Sequence, residues 1–229
     1  MQSLSSKEVK YLRVRQTIKL PDVTCYVIQC EPSLAEIKIV NTAKHSDRST
    51  LPLITKLRTV YSKLASKFKT IKNLLNKYPS DNFLVFSNFT QSLAALDTFL
   101  HRQNTKFITA DTTNKQKVCD DFQASTGGAL LLASYGAGGV GINLTNAHHV
   151  ILLDPAWNRA THDQAVARAH RFGLKHKLYV HILNTQGSIE SWMNYIMIYK
   201  KSIMEPGVES NDEQIDDISD SLTNALCIV

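Results

Sequence analysis

The chain has 229 residues, of which 43% are hydrophobic and 20% charged, and its formal net charge at pH 7 is +6. This composition is typical of a globular protein with a substantial core and excludes a chain that is disordered throughout. Because no apolar run approaches the roughly 18 residues that cross a bilayer, and residues 1–13 lack the apolar core of a signal peptide, we predict no membrane association and no secretion.

The charged residues are unevenly distributed along the chain. Residues 205–229 hold seven acidic and no basic side chains, whereas the preceding residues hold 26 basic and 13 acidic side chains. A strongly basic body attracts polyanions and favours a nucleic-acid partner, although a solvated lysine surface explains the same charge. We predict that residues 204–229 form an acidic and largely mobile tail.

The first 78 residues predict a lead-in segment of one strand and several helices. An apolar, β-branched run at Val23–Gln29 predicts a strand, and Ser33–Lys44 has the apolar spacing of a helix. Leu51–Tyr78 has the same spacing over a length that suits two helices. We therefore expect residues 1–78 to form a small, mostly helical segment that precedes the main fold.

From residue 83 onward, short apolar runs alternate with longer periodic segments, as in a parallel α/β sheet. The predicted strands are Phe83–Ser87, Lys106–Thr109, Ala129–Ser134, Val150–Asp154 and Leu178–Leu183. The predicted helices are Thr90–Gln103, Asn114–Ser125, Thr161–Phe172 and Ser188–Ile203. The predicted fold class is therefore α/β with a parallel sheet.

A cluster of glycines follows the predicted strand at residues 129–134. Gly136, Gly138 and Gly141 fit the G-x-G-x-x-G spacing of dinucleotide-binding proteins. Only Ile142–His149 separates them from the next strand, which is too short for the crossover helix of a βαβ unit. We favour a loop whose exposed amide groups approach a phosphate, with a tight turn as the alternative.

The predicted helix Thr161–Phe172 carries two arginines. Thr161 and Gln164 have the spacing of a capping box at its beginning. Steps of four and three residues place Gln164, Arg168 and Arg171 on one helical face. Two guanidinium groups there suit a clamp on a transferring phosphoryl group, and solvated surface charges are the alternative.

Neither metal nor disulfide chemistry is indicated by the sequence. The four cysteines include no C-x-x-C pair. His162, His170 and His176 lie close together, but no carboxylate or cysteine completes a ligand set at helical spacing. We predict reduced cysteines and no metal site.

Three segments together resemble helicase motifs of the Swi/Snf-type ATPases, a branch of helicase superfamily 2. FLVFSNFTQSLAALDTFL at residues 83–100 resembles their fourth motif, GAGGVGINLTNAHHVILLDPAWN at 136–158 their fifth, and DQAVARAHRFG at 163–173 their sixth. Weaker similarity extends the likeness to about residues 10–203. The family includes compact members in large DNA viruses, the global transactivators, and the resemblance extends to a member of that kind.

The resemblance implies that residues 79–203 are the second RecA-like lobe of such a motor, with helices on both faces of its sheet. It assigns catalytic roles, at ATP held on a first lobe, to Gln164, Arg168 and Arg171. It assigns the coupling of nucleotide state to DNA contact to Gly138, Gly139, Gly141 and Asn143. It also implies DNA contacts at Ser87, Thr113 and Lys115.

In that family the output is ATP-driven translocation along double-stranded DNA, often used to remodel chromatin. The resemblance therefore implies DNA binding and a nuclear location, in the host nucleus for a viral member, with the cytoplasm as the other location. The sequence departs from the family pattern at Arg159, where proline is usual, and at Leu174, where glutamine is usual. Asp111–Thr113 replaces Asp-Gly-Ser-Thr, which weakens the expectation of DNA contact there.

Two motifs that bind ATP and Mg²⁺ are absent from the 229 residues: G-x-x-x-x-G-K-[ST], and an Asp-Glu pair at the end of an apolar strand. We therefore expect ATP and Mg²⁺ to act only together with a first RecA-like lobe, and no hydrolysis by this chain alone. A non-catalytic DNA- or protein-binding module stays open as an alternative. The glycine spacing leaves a nicotinamide-dependent oxidoreductase as another.

Overall fold

The computed structural model describes residues 20–44, 50–102, 105–138, 142–156, 158–191 and 193. The predicted acidic tail at 204–229 lies outside these residues, as do Gly139 and Gly141 of the predicted coupling loop. Most of the predicted helix Ser188–Ile203 also lies outside them, although residues 189–191 and 193 are helical.

The described residues contain one six-stranded sheet. Its strands are β1 (Val23–Cys30), β2 (Phe83–Ser87), β3 (Thr105–Ile108), β4 (Leu130–Ser134), β5 (His149–Leu152) and β6 (Leu178–Thr185). They lie in the order β1-β6-β5-β2-β4-β3, and every pair is parallel. This arrangement confirms the predicted α/β class and the RecA-like parallel sheet.

The central strands are buried on both faces, which is why their sequences read as continuous apolar runs. In β2, Leu84 and Phe86 belong to one core cluster, whereas Phe83 and Val85 belong to another. β4 and β5 divide their side chains between the two clusters in the same alternating way. The sheet therefore separates two apolar layers.

Helices cover both faces of the sheet, as the resemblance implied. The helices of the described residues are α1 (Leu34–Lys44), α2 (Thr50–Tyr61), α3 (Ala65–Lys77), α4 (Thr90–Leu100), α5 (Lys115–Gln123) and α6 (Arg159–Val166). Cys119, Phe122 and Ala165 of α5 and α6 pack on one face. Phe68 and Leu93 of α3 and α4 pack on the other. No helix among the described residues has the length and apolar character needed to cross a bilayer.

The lead-in segment contributes directly to this sheet. β1 pairs along its whole length with β6, from Val23 opposite Leu178 to Cys30 opposite Thr185. α1 and α2 build a third apolar cluster, which includes Ile189 from the chain that follows β6. The division between residues 1–78 and 79–203 stays a prediction about domains, but the sheet itself extends across it.

α6 begins earlier than the sequence predicts. Asn158 has extended backbone angles, φ −130° and ψ 132°, and its Oδ1 accepts the Ala160 N–H at 2.9 Å. Asn158 is therefore the N-cap, and the predicted capping box of Thr161 and Gln164 is wrong. Both of these residues lie inside the helix.

α6 also ends earlier than predicted, at Val166. Beyond it the Arg168 N–H donates to the Ala165 carbonyl oxygen at 3.2 Å, a spacing of three residues in place of the helical four. Arg168 and Arg171 consequently lie in turns after the helix. The prediction that they share one helical face with Gln164 is wrong.

Candidate functional site

The carboxyl ends of the six parallel strands meet at one edge of the sheet, the carboxyl edge. Ligands of parallel α/β sheets bind at this edge. Ser87 is the last residue of β2, Gly138 ends a 3₁₀ helix (Tyr135–Gly138) that follows β4, and Gln164 lies on α6 after β5. The fold therefore brings these three predicted site residues to the same edge.

Tyr135 joins the beginning of the glycine loop to the turn after β5. Its hydroxyl donates to the Asp154 carbonyl oxygen at 3.0 Å. Its ring stacks with Phe86 and His162 at centroid distances of 5.6 and 5.9 Å. Burial raises the pKa of Tyr135 well above its ordinary value, so the phenol stays neutral and donates at physiological pH. Gly136, the next residue, is exposed.

Asp154 is the buried acceptor at the centre of the carboxyl edge. The residue is 1% exposed, and its carboxylate accepts from the Ser87 hydroxyl, from Asn88 Nδ2 at 2.6 Å and from the Asn88 N–H at 3.1 Å. Burial raises the pKa of Asp154, and the hydrogen bonds from Ser87 and Asn88 act in the opposite direction. This carboxylate joins the ends of β2 and β5.

The structure corrects the expected DNA contact at Ser87. The side chain is fully buried, donates to Asp154 and accepts the Phe89 N–H at 3.0 Å. A hydroxyl used twice in the core offers no surface to a polymer. The sequence places Ser87 at a strand end, but it does not show that the Ser87 hydroxyl donates to the buried carboxylate of Asp154, which follows the neighbouring strand β5.

His162 fixes the first turns of α6 to the turn after Asp154. Its Nε2 accepts the Ala156 N–H at 2.7 Å, and the residue is 8% exposed. Burial lowers the pKa of His162 to about 4, so the ring is neutral near pH 7 and its nitrogen lone pair accepts this bond. The position of α6 therefore follows the position of the turn.

Two hydrogen bonds tie residues 167–173, the arginine segment, to the end of the glycine loop. The Leu144 N–H donates to the Arg168 carbonyl oxygen at 2.9 Å, and Arg171 Nη1 donates to the Ile142 carbonyl oxygen at 3.4 Å. Asn143 lies between these two contacts and is exposed. The arginine segment is therefore bonded to the chain on both sides of Asn143.

Gln164 and Arg168 line two neighbouring cavities. One, of about 250 Å³, lies between the ends of β2, β3 and β4, the beginning of the glycine loop and α6. The other, the arginine groove, is open, has a volume of about 480 Å³ and is also lined by Arg171. Arg168 is half-buried and Arg171 is exposed. The three predicted catalytic side chains therefore meet in one groove, although no single helix places them there.

Thr113 and Lys115 lie where the chain passes from β3 into α5. Asn114 caps α5, because its Oδ1 accepts the Lys117 N–H at 3.1 Å. Thr113 is exposed and Lys115 is half-buried at the first position of the helix. Both residues lie at the carboxyl edge, and their contact with DNA stays a prediction.

A buried ion pair at the carboxyl edge is missing from the sequence predictions. Lys67 Nζ lies 2.6 Å from Glu190 Oε1, and both side chains are 0% exposed. Lys67 also donates to the Leu153 carbonyl oxygen at 2.8 Å. Glu190 Oε2 accepts the Thr185 N–H at 3.1 Å. The pair thus joins α3 to the ends of β5 and β6.

Arg58 on α2 makes a similar contact with the turn after β5. Its Nη2 donates to the Pro155 carbonyl oxygen at 2.9 Å, and burial lowers the pKa of Arg58 from its ordinary value.

A signal for Lys67 exists in the sequence, since it lies three residues after Leu64 and four before Ile71, on the apolar stripe of its helix. Such a cation inside an apolar stripe indicates a buried partner.

The chain path does not support the dinucleotide interpretation of the glycines. The described residues 142–148, between Gly138 and β5, contain turns and no helix. β2 lies between β4 and β5 in the sheet. The crossover helix that carries the phosphate in that motif does not occur at this position.

Comparison with known proteins identifies related sequences. Residues 66–173 match the family described as the helicase conserved C-terminal domain. The chain is 30% identical over 225 residues to the DNA repair protein RAD5 of Gibberella zeae, which covers 91% of this chain and 19% of that protein. It is 30% identical over 204 residues to the DNA repair and recombination protein RAD54-like of Drosophila virilis. This match covers 84% of this chain and 26% of that protein. The chain thus spans about a fifth to a quarter of the length of these relatives.

Solved structures share the fold. The C-terminal part of the Fun30 ATPase domain superposes with a TM-score of 0.73 at 19% identity, over 91% of this chain and 99% of that one. The SWI2/SNF2 ATPase core domain of Sulfolobus solfataricus superposes with a TM-score of 0.65 at 21% identity, over 90% of this chain and 49% of that one. At these identities the likeness concerns the arrangement of helices and strands.

Proposed function

We propose that this chain, whose residues 66–173 match the helicase conserved C-terminal domain and which resembles an SNF2 domain-containing protein and a SWI2/SNF2 ATPase core, supplies arginine side chains to ATP held on a first RecA-like lobe. The observation that carries the proposal is the arginine groove, in which Gln164, Arg168 and Arg171 meet beside the end of the glycine loop. Planar guanidinium groups pair with phosphate oxygens and stabilise the charge of a transferring phosphoryl group.

The residues of the groove fit a polyphosphate. The guanidinium of Arg171 is exposed, and its hydrogen bond to the neutral Ile142 carbonyl, at 3.4 Å, is long. Gln164 adds an exposed amide that both donates and accepts. ATP with Mg²⁺, held on the first lobe, supplies the phosphoryl group and its leaving group. This chain orients the two guanidinium groups and completes the site that the first lobe begins.

The glycine loop is proposed to link this site to DNA. Gly138 ends the 3₁₀ helix, and Asn143 is exposed beyond the loop. Because Leu144 bonds to Arg168, contact of DNA with the loop and contact of phosphate with the arginines displace the same backbone. The two events are thereby coupled.

Double-stranded DNA is the proposed polymer. The basic residues preceding 205 outnumber the acidic ones by two to one, and Thr113 and Lys115 lie at the carboxyl edge with the glycine loop. A Sulfolobus solfataricus SWI2/SNF2 ATPase core of the same fold was solved in complex with double-stranded DNA, which supports this choice. The names of the relatives, a DNA repair protein and a DNA repair and recombination protein, support a role in DNA repair. The proposed location for this role is the nucleus.

An ATPase measurement with separated lobes tests the catalytic proposal. The chain is mixed with a first RecA-like lobe that carries the glycine-lysine phosphate loop, with and without duplex DNA. We expect DNA-stimulated hydrolysis above that of either lobe alone, and a loss of about 10³-fold for Arg168→Ala or Arg171→Ala. Arg159→Ala is the matched control, because Arg159 is exposed on α6 beside Asp163. An unchanged rate for Arg171→Ala contradicts the proposal.

A non-catalytic DNA-binding module is the second candidate, favoured by the basic body. Its DNA affinity falls steeply with salt and does not respond to Arg171→Ala. Under this function Lys115→Ala lowers the slope of the salt dependence by about one, while the mixture of lobes shows no hydrolysis.

A further inference from the structure

We propose that Lys67 and Glu190 are positioning residues, which hold the turn after β5, and through it the arginine segment, in a fixed relation to helix α3. The linkage within the fold rests on contacts between described residues, whereas its effect on ATP hydrolysis rests on the proposed function. No residue of this pair lines the arginine groove.

The lysine holds the backbone immediately before Asp154. Lys67 Nζ donates to the Leu153 carbonyl oxygen at 2.8 Å. The Leu153 N–H donates to the Phe86 carbonyl oxygen at 2.9 Å. Leu153 is thus held from both sides, by α3 and by the end of β2. The chain leaves this clamp directly into the Asp154–Pro155 turn.

The glutamate fixes the lysine in turn. Glu190 Oε1 lies 2.6 Å from Lys67 Nζ, and its Oε2 accepts the Thr185 N–H at the end of β6, at 3.1 Å. The Glu190 N–H donates to the Ser188 hydroxyl at 3.1 Å, which orients the residue locally. Each carboxylate oxygen therefore has its own partner, on a different element.

The burial of the pair argues for a geometric role. Both side chains are 0% exposed, and removing two charges from water is costly, so such a pair adds little net stability over apolar side chains of the same size. It does impose one geometry, because a displaced partner leaves an uncompensated charge in the core. Lys106 and Asp121, 3.0 Å apart and 31% and 47% exposed, have no such constraint.

The turn transmits its position to the arginines through α6. The Ala156 N–H donates to His162 Nε2 at 2.7 Å, and the Asp154 carbonyl accepts from Tyr135. The arginine segment follows α6 without an intervening loop, since the Ala167 N–H still donates to the Asp163 carbonyl oxygen at 2.8 Å. A movement of α3 that displaces Leu153 therefore reaches Arg168.

The test removes both charges at once, so that no uncompensated charge remains. Lys67→Met/Glu190→Gln keeps the approximate size of both side chains, and Lys106→Met/Asp121→Asn is the matched exposed control. The readout is the NMR titration of His162, whose pKa depends on its enclosure against the turn. We expect the His162 pKa to rise by about one unit or more in the buried variant and to stay unchanged in the control.

His181 provides an internal control at the opposite edge of the sheet. Burial lowers the pKa of His181 to about 4 as well, but its contacts lie away from the turn. A His162 pKa within about 0.3 unit of wild type overturns the proposal, and so does an equal rise at His162 and His181, which reports general loosening. If the double variant is unfolded, Glu190→Asp, which keeps both charges and shortens the reach of the carboxylate, gives the same readout, with a smaller rise expected at His162.

A kinetic measurement distinguishes the positioning role of Lys67 and Glu190 from the proposed catalytic function of the chain. In the mixture of lobes, Lys67→Met/Glu190→Gln is expected to lower kcat about tenfold or more, because misplaced arginines stabilise the transition state less. The KM for ATP is expected to stay within about twofold of wild type. A wild-type mixture without hydrolysis contradicts the proposed function, and the His162 titration still decides the positioning role.

Discussion

The two edges of the sheet bury polar side chains in different ways. At the carboxyl edge, the buried groups include three charged side chains, each bonded to another element: Lys67 and Glu190 join α3 to β5 and β6, and Asp154 joins β5 to the end of β2. The bond from Lys67 ends on the Leu153 carbonyl oxygen, immediately before the turn that leads to α6.

At the opposite, amino edge the buried groups are stacked rings. His149 lies against Phe83 and Tyr78 at centroid distances of 4.5 and 4.8 Å. Its Nε2 lies 2.9 Å from Asp81 Oδ2, and its Nδ1 lies 2.9 Å from His181 Nε2. Burial lowers the pKa of both histidines, that of His181 to about 4.

The difference separates positioning from stability. An ion pair that crosses elements fixes where loops begin, because its energy depends on geometry, whereas neutral stacked rings tolerate small shifts and contribute mainly buried area. The loops of the candidate site leave the sheet at the carboxyl edge. We therefore expect changes there to affect function and stability together, and changes at the amino edge to affect stability alone.

The largest expected effect comes from acid, which acts on one histidine at each edge. His162 and His181 have a pKa of about 4 in the folded chain and an ordinary value of 6.5. Between these values the unfolded state binds the protons, so stability that is fully present above pH 6.5 is lost as the pH falls to about 4. The loss is about 3 kcal/mol for each histidine. Urea unfolding at pH 7, 5.5 and 4 measures it.

Substitution of one histidine at a time assigns this loss to an edge. His162→Gln and His181→Gln should each remove about 3 kcal/mol of the pH dependence. The raised pKa of Asp154 acts in the opposite sense, since a proton stabilises that buried group. A free energy of unfolding that stays constant between pH 6.5 and 4 contradicts the prediction.

The next effect, at the carboxyl edge, is that of Asp154→Ala. The change leaves the Ser87 hydroxyl and the donors of Asn88 without their acceptor, and we expect a loss of about 3 kcal/mol in the free energy of unfolding. Asp121→Ala, at an exposed aspartate, should change it by less than about 0.5 kcal/mol. Equal losses in the two variants would mean that the carboxyl edge does not depend on this acceptor.

The smallest effect compares one tyrosine from each edge. Tyr135→Phe removes the bond to the Asp154 carbonyl and should cost about 1 kcal/mol. Tyr179 contributes its ring to the stack on His149 at 5.2 Å, so Tyr179→Phe keeps that stack and should cost less than about 0.5 kcal/mol. Thermal unfolding of the two variants at pH 7 measures the difference, and a larger cost for Tyr179→Phe reverses the comparison.

Local periodicity was sufficient for the elements of the sheet. The predicted strand Phe83–Ser87 agrees with β2 at both ends, because a strand buried on both faces must be apolar throughout. The capping of α6 by Asn158 was missed, since several polar residues near the start of a helix can serve as the cap. The end of α6 at Val166 is followed by a bond between Arg168 and Leu144, which no local pattern contains.

The candidate site divides in the same way. The residue types and their spacing selected Gln164, Arg168 and Arg171, and the fold brings them into one groove by turns instead of one helical face. Ser87 was selected by its place at a strand end, although its side chain points into the core. Gly139 and Gly141 lie outside the described residues, and the roles of the whole set stay predictions.

By itself, the sequence determined the α/β class, the parallel sheet and the likeness to a helicase lobe, because each depends on residues that lie close together along the chain. Only the tertiary structure decided that β1 joins the sheet and that Lys67 pairs with Glu190, 123 residues away. Such contacts depend on how distant segments pack. A buried charge indicates that it needs a partner, but the folded chain determines which partner it has.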